Sequence, residues 1–200
     1  MHLASQPVGR RERNKQAKLD RITAAARELF AEHGIDDVTT QQIADRADIG
    51  TGTLFLYAKS KGELLLLVQN SAYADALAKG RADAAGSTGF LDAIMAIIRP
   101  VVECNRKQID NGRTYLREMV FGDPSEPHHH AALILAGGTE AAIADVLQRD
   151  GHTTPDAAAT LGRVVSAIMF LSMAASTNVS RSIEDLLLDI RNQVAAILPP

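Results

Sequence analysis

The sequence predicts an all-α protein, with a small three-helix unit at the front and a larger helical domain behind it. Three observations carry this. Apolar residues recur at steps of three and four along most of the chain, the period of one helix face. Capping and breaking residues fall where those runs begin and end. The one β-prone run, "TLFLY", has no alternating partner strand nearby.

The first helix is written in "KLDRITAAARELFAEHG", where Leu19, Ile22, Ala26, Leu29, Phe30 and His33 share a face and Gly34 supplies the stop. Thr39 with Gln42 three places on makes a capping box, which predicts a second helix from about Thr40 to Ala47 that buries Ile43 and Ala47. Asp48 and Gly50 break it. A third short helix, Thr51 to Tyr57, follows with Gly50 as its N-cap. "GELLLLVQNSAYADALAKG" reads as a long connecting helix, and "GSTG" at 86–89 as a break. "FLDAIMAIIRPVVECN" is a further helix in which Pro100 implies a kink or an end. A helix around "NGRTYLREMVF" stops at "GDPSEP".

Two more helices close the chain. "PDAAATLGRVVSAIMFLSMAAS" opens with proline at a permitted first-turn position and sets Leu161, Val164, Val165, Ile168, Phe170 and Leu171 among small residues. "SIEDLLLDIRNQVAAIL", capped by Ser182, places Ile183, Leu186, Leu187, Ile190, Val194 and Ile197 at helical spacing. Two such helices from each of two chains make a four-helix bundle about a two-fold axis. The expected dimer contacts are Leu161, Val165, Ile168, Leu186, Leu187, Ile190 and Val194.

With 200 residues, 46% of them hydrophobic and 22% charged, the chain is long enough to bury a core in one domain or two small ones. No run is expected to be apolar over the ~18 residues of a membrane span, and "MHLASQPVGRRERNKQ" lacks the apolar centre of a signal peptide, so a cytoplasmic protein without membrane contact is expected. The single cysteine, Cys104, offers neither an internal disulfide nor a cysteine metal framework. Net charge is −3, yet residues 8–61 hold ten Lys and Arg against eight acids, which leaves the remainder at −5. The positive charge is densest in "RRERNKQAK", read as a flexible basic arm over residues 1–14 that could reach along a nucleic-acid backbone.

The glycines and threonines of "ADIGTGTLFLYAKSKG" invite other readings. A phosphate-binding loop would follow a buried strand and end in Gly-Lys-Ser/Thr; here a short polar helix precedes and the order is "KSKG". A dinucleotide fingerprint fails at Phe55, where a third small residue is required. What fits is a helix-turn-helix: a short helix, the turn "ADIG", and a second helix whose start faces outward. Leu54 is expected to point inward with Ile43 and Ile49, and Thr51, Thr53 and Leu56 outward.

The run "ARELFAEHGIDDVTTQQIADRADIGTGTLFLYAKSKGELL" resembles the N-terminal DNA-binding domain of the TetR family of bacterial transcriptional regulators over residues 18–66. It shares the "LF" and glycine closing the first helix, the "TT" opening the second, "IA" within it, and "GTL", "Y" and "SK" around the third. The resemblance implies about nine helices, dimerisation through the last two, a ligand cavity in the C-terminal domain and no cofactor. It implies a DNA-binding domain over residues 15–61, with the helix-turn-helix at about 39–58, and a ligand-binding and dimerisation domain over 62–200. On it, Thr40, Tyr57 and Lys61 match positions that hold phosphates, and Gly50, Thr51, Gly52, Thr53 and Leu56 line the surface facing the major groove. The sequence departs from the pattern at Gly50, where serine is more frequent, and at Thr51, where a basic residue is frequent. It departs again at Ala58, where phenylalanine is usual, and Gly62, where glutamate is usual. The last two are expected to loosen the link to the fourth helix.

In the second domain Met95, Cys104, Tyr115, Glu118, Met119 and Phe170 are candidates for a small-molecule cavity, as adaptable apolar residues with a few polar groups. "HHH" at 128–130 is expected to be a solvated helix N-terminus and not a metal site, because consecutive helical residues point about 100° apart. No hydrolase signature is present, neither G-x-S-x-G nor H-E-x-x-H, so no catalytic residues are assigned. The expected protein is a homodimeric regulator, a repressor, that binds a palindromic double-stranded operator and answers to an unidentified small-molecule effector. The competing reading is a helical binding protein or enzyme that retains a helix-turn-helix-like start.

Overall fold

The computed structural model describes residues 9–149, 151 and 153–198. Among them there are nine α-helices, one 3₁₀ turn and no strand. Helix α1 (Arg10–Asp37) begins earlier than expected, so the basic residues 10–14 form its first turns instead of a flexible arm. Residues 1–8 of that arm lie outside the described residues. α1 is interrupted at Gly34, whose φ of 78° lies in the left-handed region that favours glycine. Helices α2 (Thr40–Arg46) and α3 (Thr51–Leu54) cross its apolar face, and Ile22, Phe30, Ile43, Ala44, Ala47 and Leu54 close a small core.

α4 (Lys61–Ala85) runs from this unit into the second domain, packing on α1 at its start and on α5 (Phe90–Asn105), α6 (Ile109–Phe121) and α7 (Pro127–Leu147) beyond. Its close crossing with α5 is set at Gly80, where an added Cβ would lie 2.7 Å from the Ile97 carbonyl oxygen and 3.1 Å from that of Ala96. Of the kink or end expected at Pro100, the end is absent, since α5 runs on to Asn105. The missing N–H of Pro100 costs the Ala96 carbonyl its helical partner at the place where Gly80 lets α4 press against that turn. The α5–α6 corner is equally tight: Asn105 Nδ2 donates to Gly112 O at 3.0 Å, and no side chain fits at Gly112.

α8 (Pro155–Ala174) lies along α7 through Gly162, where a Cβ would come within 2.6 Å of Glu140 O. By length and composition α7 and α8 are each apolar enough to cross a membrane, which the sequence reading had not anticipated; here they pack on one another and on the other helices. α9 (Ile183–Ile197) is capped by Ser182 Oγ, which accepts from Asp185 N at 3.1 Å. It is strapped to α5 by the two-pronged Arg99–Glu184 pair and by Arg191–Asp92. Arg106, at the end of α5, donates from Nη2 to the carbonyls of Asn178, Val179 and Arg181, holding the α8–α9 connection.

The expected dimer residues divide. Val165, Leu186, Leu187, Ile190 and Val194 are buried in the chain's own core, so they are not available to a second copy as it stands. Helical periodicity identifies a buried face but not its partner, and here the partners are α5 and the neighbouring helix of the same chain. Leu161 and Ile168 are partly open, and with exposed Val164 and Leu171 they form a continuous apolar stripe on α8.

Candidate nucleic-acid interface

The reading unit is built from local chemistry. Thr39 Oγ1 accepts from Gln42 N at 3.2 Å while Gln42 Oε1 accepts from Thr39 N at 2.7 Å, the expected capping box. α2 ends at Arg46 with Ala47 as its cap, and the turn passes through Asp48, whose φ of 54° supplies the left-handed residue. Asp accepts that conformation, so Gly50 is not needed for it; Gly50 has ordinary extended backbone as the N-cap of α3. Two surface ion pairs, Arg21–Asp48 and Arg46–Glu28, tie α2 and its turn to α1.

α3 is shorter than expected. It is helical over Thr51–Leu54 and continues as a tight turn to Tyr57. Leu54 points into the core with Ile43, and Ile49 packs against it, as the spacing implied. Leu56 is 83% exposed, Gly50 and Gly52 are exposed, and Thr51 and Thr53 are partly so. A Cβ at Gly50 or Gly52 would meet no atom of the chain within 4 Å. Thr51 donates from Oγ1 to Gln41 Oε1 at 2.7 Å, and Gln41 Nε2 donates on to Asp45 Oδ1 at 2.7 Å. Gln41 therefore orients the first side chain of α3, a role sequence reasoning missed although it sits beside the capping pair in "TTQQ".

Thr40 opens α2 with its side chain partly exposed. Tyr57 is half-buried and its hydroxyl reaches Lys15 O at 3.4 Å. Lys61 Nζ donates to Val38 O at 3.0 Å and Asp36 O at 3.3 Å, so much of its donor capacity is already used on the end of α1. Arg10, Arg11, Lys15 and Lys18, from the first turns of α1, share an open cleft with Leu56 and Tyr57.

The two departures expected to loosen the link to the second domain sit in different surroundings. Ala58 is buried in the small core. At Gly62 the flexible Glu118 side chain of α6 fills the space a Cβ would take, its carboxyl carbon 2.6 Å from that position. A further link was not legible at all: Asn111, buried at the start of α6, accepts from Ile35 N at 2.7 Å and donates to Phe30 O at 2.8 Å, holding both sides of the break in α1.

The candidate ligand residues do not share a cavity among the described residues. Tyr115 and Met119 are enclosed in the core, and Met95 and Cys104 lie partly buried on α5. Tyr115 donates to Asn70 Oδ1 at 2.9 Å and stacks at a tilt on Tyr73, ring centroids 6.1 Å apart. Burial pushes the Tyr73 hydroxyl up to about 12 and raises Tyr115 and the Cys104 thiol as well, so all three stay neutral. Glu118 faces Gly62. Phe170 alone borders open space, a groove of about 560 Å³ between α6 and α8 that also has Arg113, Arg117, Val120, Phe121 and Leu171 on its walls and Asp36 of α1 at its edge. The three histidines are not a solvated helix start: His130 is exposed, His128 is half-buried and His129 is buried with its ring on Met119 O at 3.0 Å.

Residues 22–68 match the family model for bacterial regulatory proteins of the tetR family. No curated protein matches the chain. Among solved structures, the fold is similar to Thermus thermophilus FadR, a TetR-family transcriptional repressor in complex with lauroyl-CoA, at 23% identity and a TM-score of 0.73. That match covers 91% of this chain and 96% of the other. A TetR transcriptional regulator from Rhodococcus sp. RHA1 is similar at 20% identity over 92% and 97% of the two chains, with a TM-score of 0.71. BioQ, solved with its double-stranded DNA operator, is similar at 16% identity over 89% and 98%, with a TM-score of 0.63. Residues 22–68 thus match a TetR-type DNA-binding unit, and the helical fold as a whole is similar to that of solved regulators of that family.

Proposed function

We propose that this protein is a DNA-binding transcriptional regulator of the TetR family, a homodimeric repressor working in the cytoplasm, which reads a palindromic operator and is released or modulated by a small molecule. The division into a reading domain over 15–61 and an effector and dimerisation domain over 62–200 is part of this reading. One observation carries it: the strip at Gly50 and Gly52 is bare although nothing inside the chain crowds it. Glycine there serves close approach from outside, by a DNA backbone or base edge. Beside the strip, Thr51, Thr53 and exposed Leu56 are suited to base edges and thymine methyls, while Thr40, Tyr57 and the remaining capacity of Lys61 are suited to phosphates. The basic first turns of α1 extend the same positive face.

The α8 stripe of Leu161, Val164, Ile168 and Leu171, with Leu188 exposed on α9, supports a four-helix dimer seam. Such a dimer sets its two α3 helices about 34–36 Å apart, one turn of the duplex. The groove beside Phe170 supports an effector site, since its walls are apolar, its rim is charged and it touches both domains. That Thermus thermophilus FadR holds lauroyl-CoA supports an effector of some kind without naming this one.

A gel-shift titration against DNA flanking the protein's own gene tests the reading. Retardation by the wild type is expected, with the double variant Thr51→Ala, Leu56→Ala losing at least about tenfold in affinity. Retardation unchanged by that variant, or none by the wild type on any duplex selected from a random pool, overturns it.

A further inference from the structure

The first turn of α7 has donors that need acceptors, and its own N-cap, Glu126, provides no side-chain bond. The acceptor comes from another helix. Glu63 of α4, only 6% exposed, takes His129 N–H on Oε1 at 3.1 Å and His128 N–H on Oε2 at 3.3 Å. Its own N–H is capped by Ser60 Oγ at 3.0 Å, so α4 and α7 begin on a shared polar knot. Burial raises the Glu63 carboxyl, and His128 with the two N–H groups of α7 pulls it back.

His128 turns its ring the other way. Its Nε2 lies 2.9 Å from the carbonyl oxygen of Tyr57, and since a carbonyl only accepts, the ring donates. Glu126 pairs with Lys59 two residues further on. The segment that leaves the recognition helix, residues 57–63, is thus held by α7 at Tyr57, Lys59 and Glu63. The next residue binds elsewhere: His129 donates from Nε2 to Met119 O of α6, and Gly122 makes room, since a Cβ there would sit 2.6 Å from the ring. Asn70 links the same turn to the core, donating to His128 O and accepting from Tyr115, both at 2.9 Å.

We propose that His128 is a positioning residue for DNA reading: from the first turn of α7, anchored by Glu63, it fixes the exit of α3 through the Tyr57 carbonyl. Because the following histidine is bonded to α6, a shift of α6 reaches the recognition helix through α7 as well as through α4. The proposal rests on the reading of α3 as the element that meets DNA.

The test uses full-length protein and the palindromic duplex that the wild type selects from a random pool. His128→Ala is expected to bind about tenfold more weakly, the scale of one lost hydrogen bond. Its slope of log affinity against log salt is expected to stay unchanged, because no phosphate contact is removed. His128→Gln, whose amide can donate to the same carbonyl, is expected to restore most of the affinity. Amide exchange at residues 57–61 is expected to quicken in the alanine variant only. Affinity within twofold of wild type for His128→Ala, or a salt slope shallower by about one, overturns the proposal, the latter by making His128 a direct phosphate contact. Should His128→Ala fail to fold, Glu126→Gln reads the same strap from its rim: a measurable weakening with quickened exchange at residues 57–61 supports it, and wild-type behaviour overturns it. A wild type that selects no duplex refutes the DNA reading instead.

Discussion

The start of α3 and the start of α7 are both helix N-termini without a side-chain bond from their own N-cap, and they resolve that in opposite ways. α3 begins on two glycines with open space around them. α7 begins on a buried carboxylate supplied from 65 residues away, so its donors are spent on joining it to α4. On the proposed function, the bare start of α3 is the surface that meets DNA, and the start of α7, capped from another helix, is a joint that helps fix where that surface stands.

The sharpest way to break this contrast is to cut the other buried joint and ask whether the bare surface survives. Asn111→Ala leaves Ile35 N–H and Phe30 O buried without their partner, and a loss of about 2–4 kcal/mol in unfolding free energy is expected from urea denaturation. A loss below about 0.5 kcal/mol would mean the two domains do not depend on that side chain. The reverse experiment is Gly52→Ala. Stability is expected to hold within about 0.5 kcal/mol, because the new methyl meets nothing in the chain. DNA affinity, read by anisotropy, is expected to fall at least about tenfold as that methyl meets the duplex. A stability loss with affinity unchanged would reverse the assignment.

The smallest effect concerns the pH dependence of the joint. Burial raises Glu63 above its ordinary value, so in the folded state it holds its proton to higher pH than in the unfolded chain. Its contribution to stability is therefore full below the unfolded value of about 4.3 and is lost as pH rises through the raised folded value. Glu63→Gln is expected to flatten the stability profile in that window. A profile equally steep in the variant would assign the slope to other groups.

Much of the reading unit was legible because its determinants are neighbours in sequence. Thr39 and Gln42 cap each other three residues apart, Ile43 and Leu54 show their burial by spacing, and the turn between them declares itself at Asp48 and Gly50. The same local logic failed where a partner is distant. "HHH" reads locally as a solvated turn, but Glu63, Tyr57 and Met119, all distant in sequence, take its groups. Leu186, Leu187, Ile190 and Val194 announced an apolar face correctly, but not that their own chain covers it.

By itself, then, the sequence determined the all-α class, the helix-turn-helix and which faces of its helices are apolar, since propensity, capping and periodicity act over one or two turns. Tertiary structure alone decided which apolar faces remain open on α8, why Pro100 can sit inside α5, how Asn111 and His128 join the domains, and how Glu63 anchors α7 to α4. Those contacts bring together residues up to 81 positions apart, and no short-range pattern in a chain records which distant donor will meet which buried acceptor.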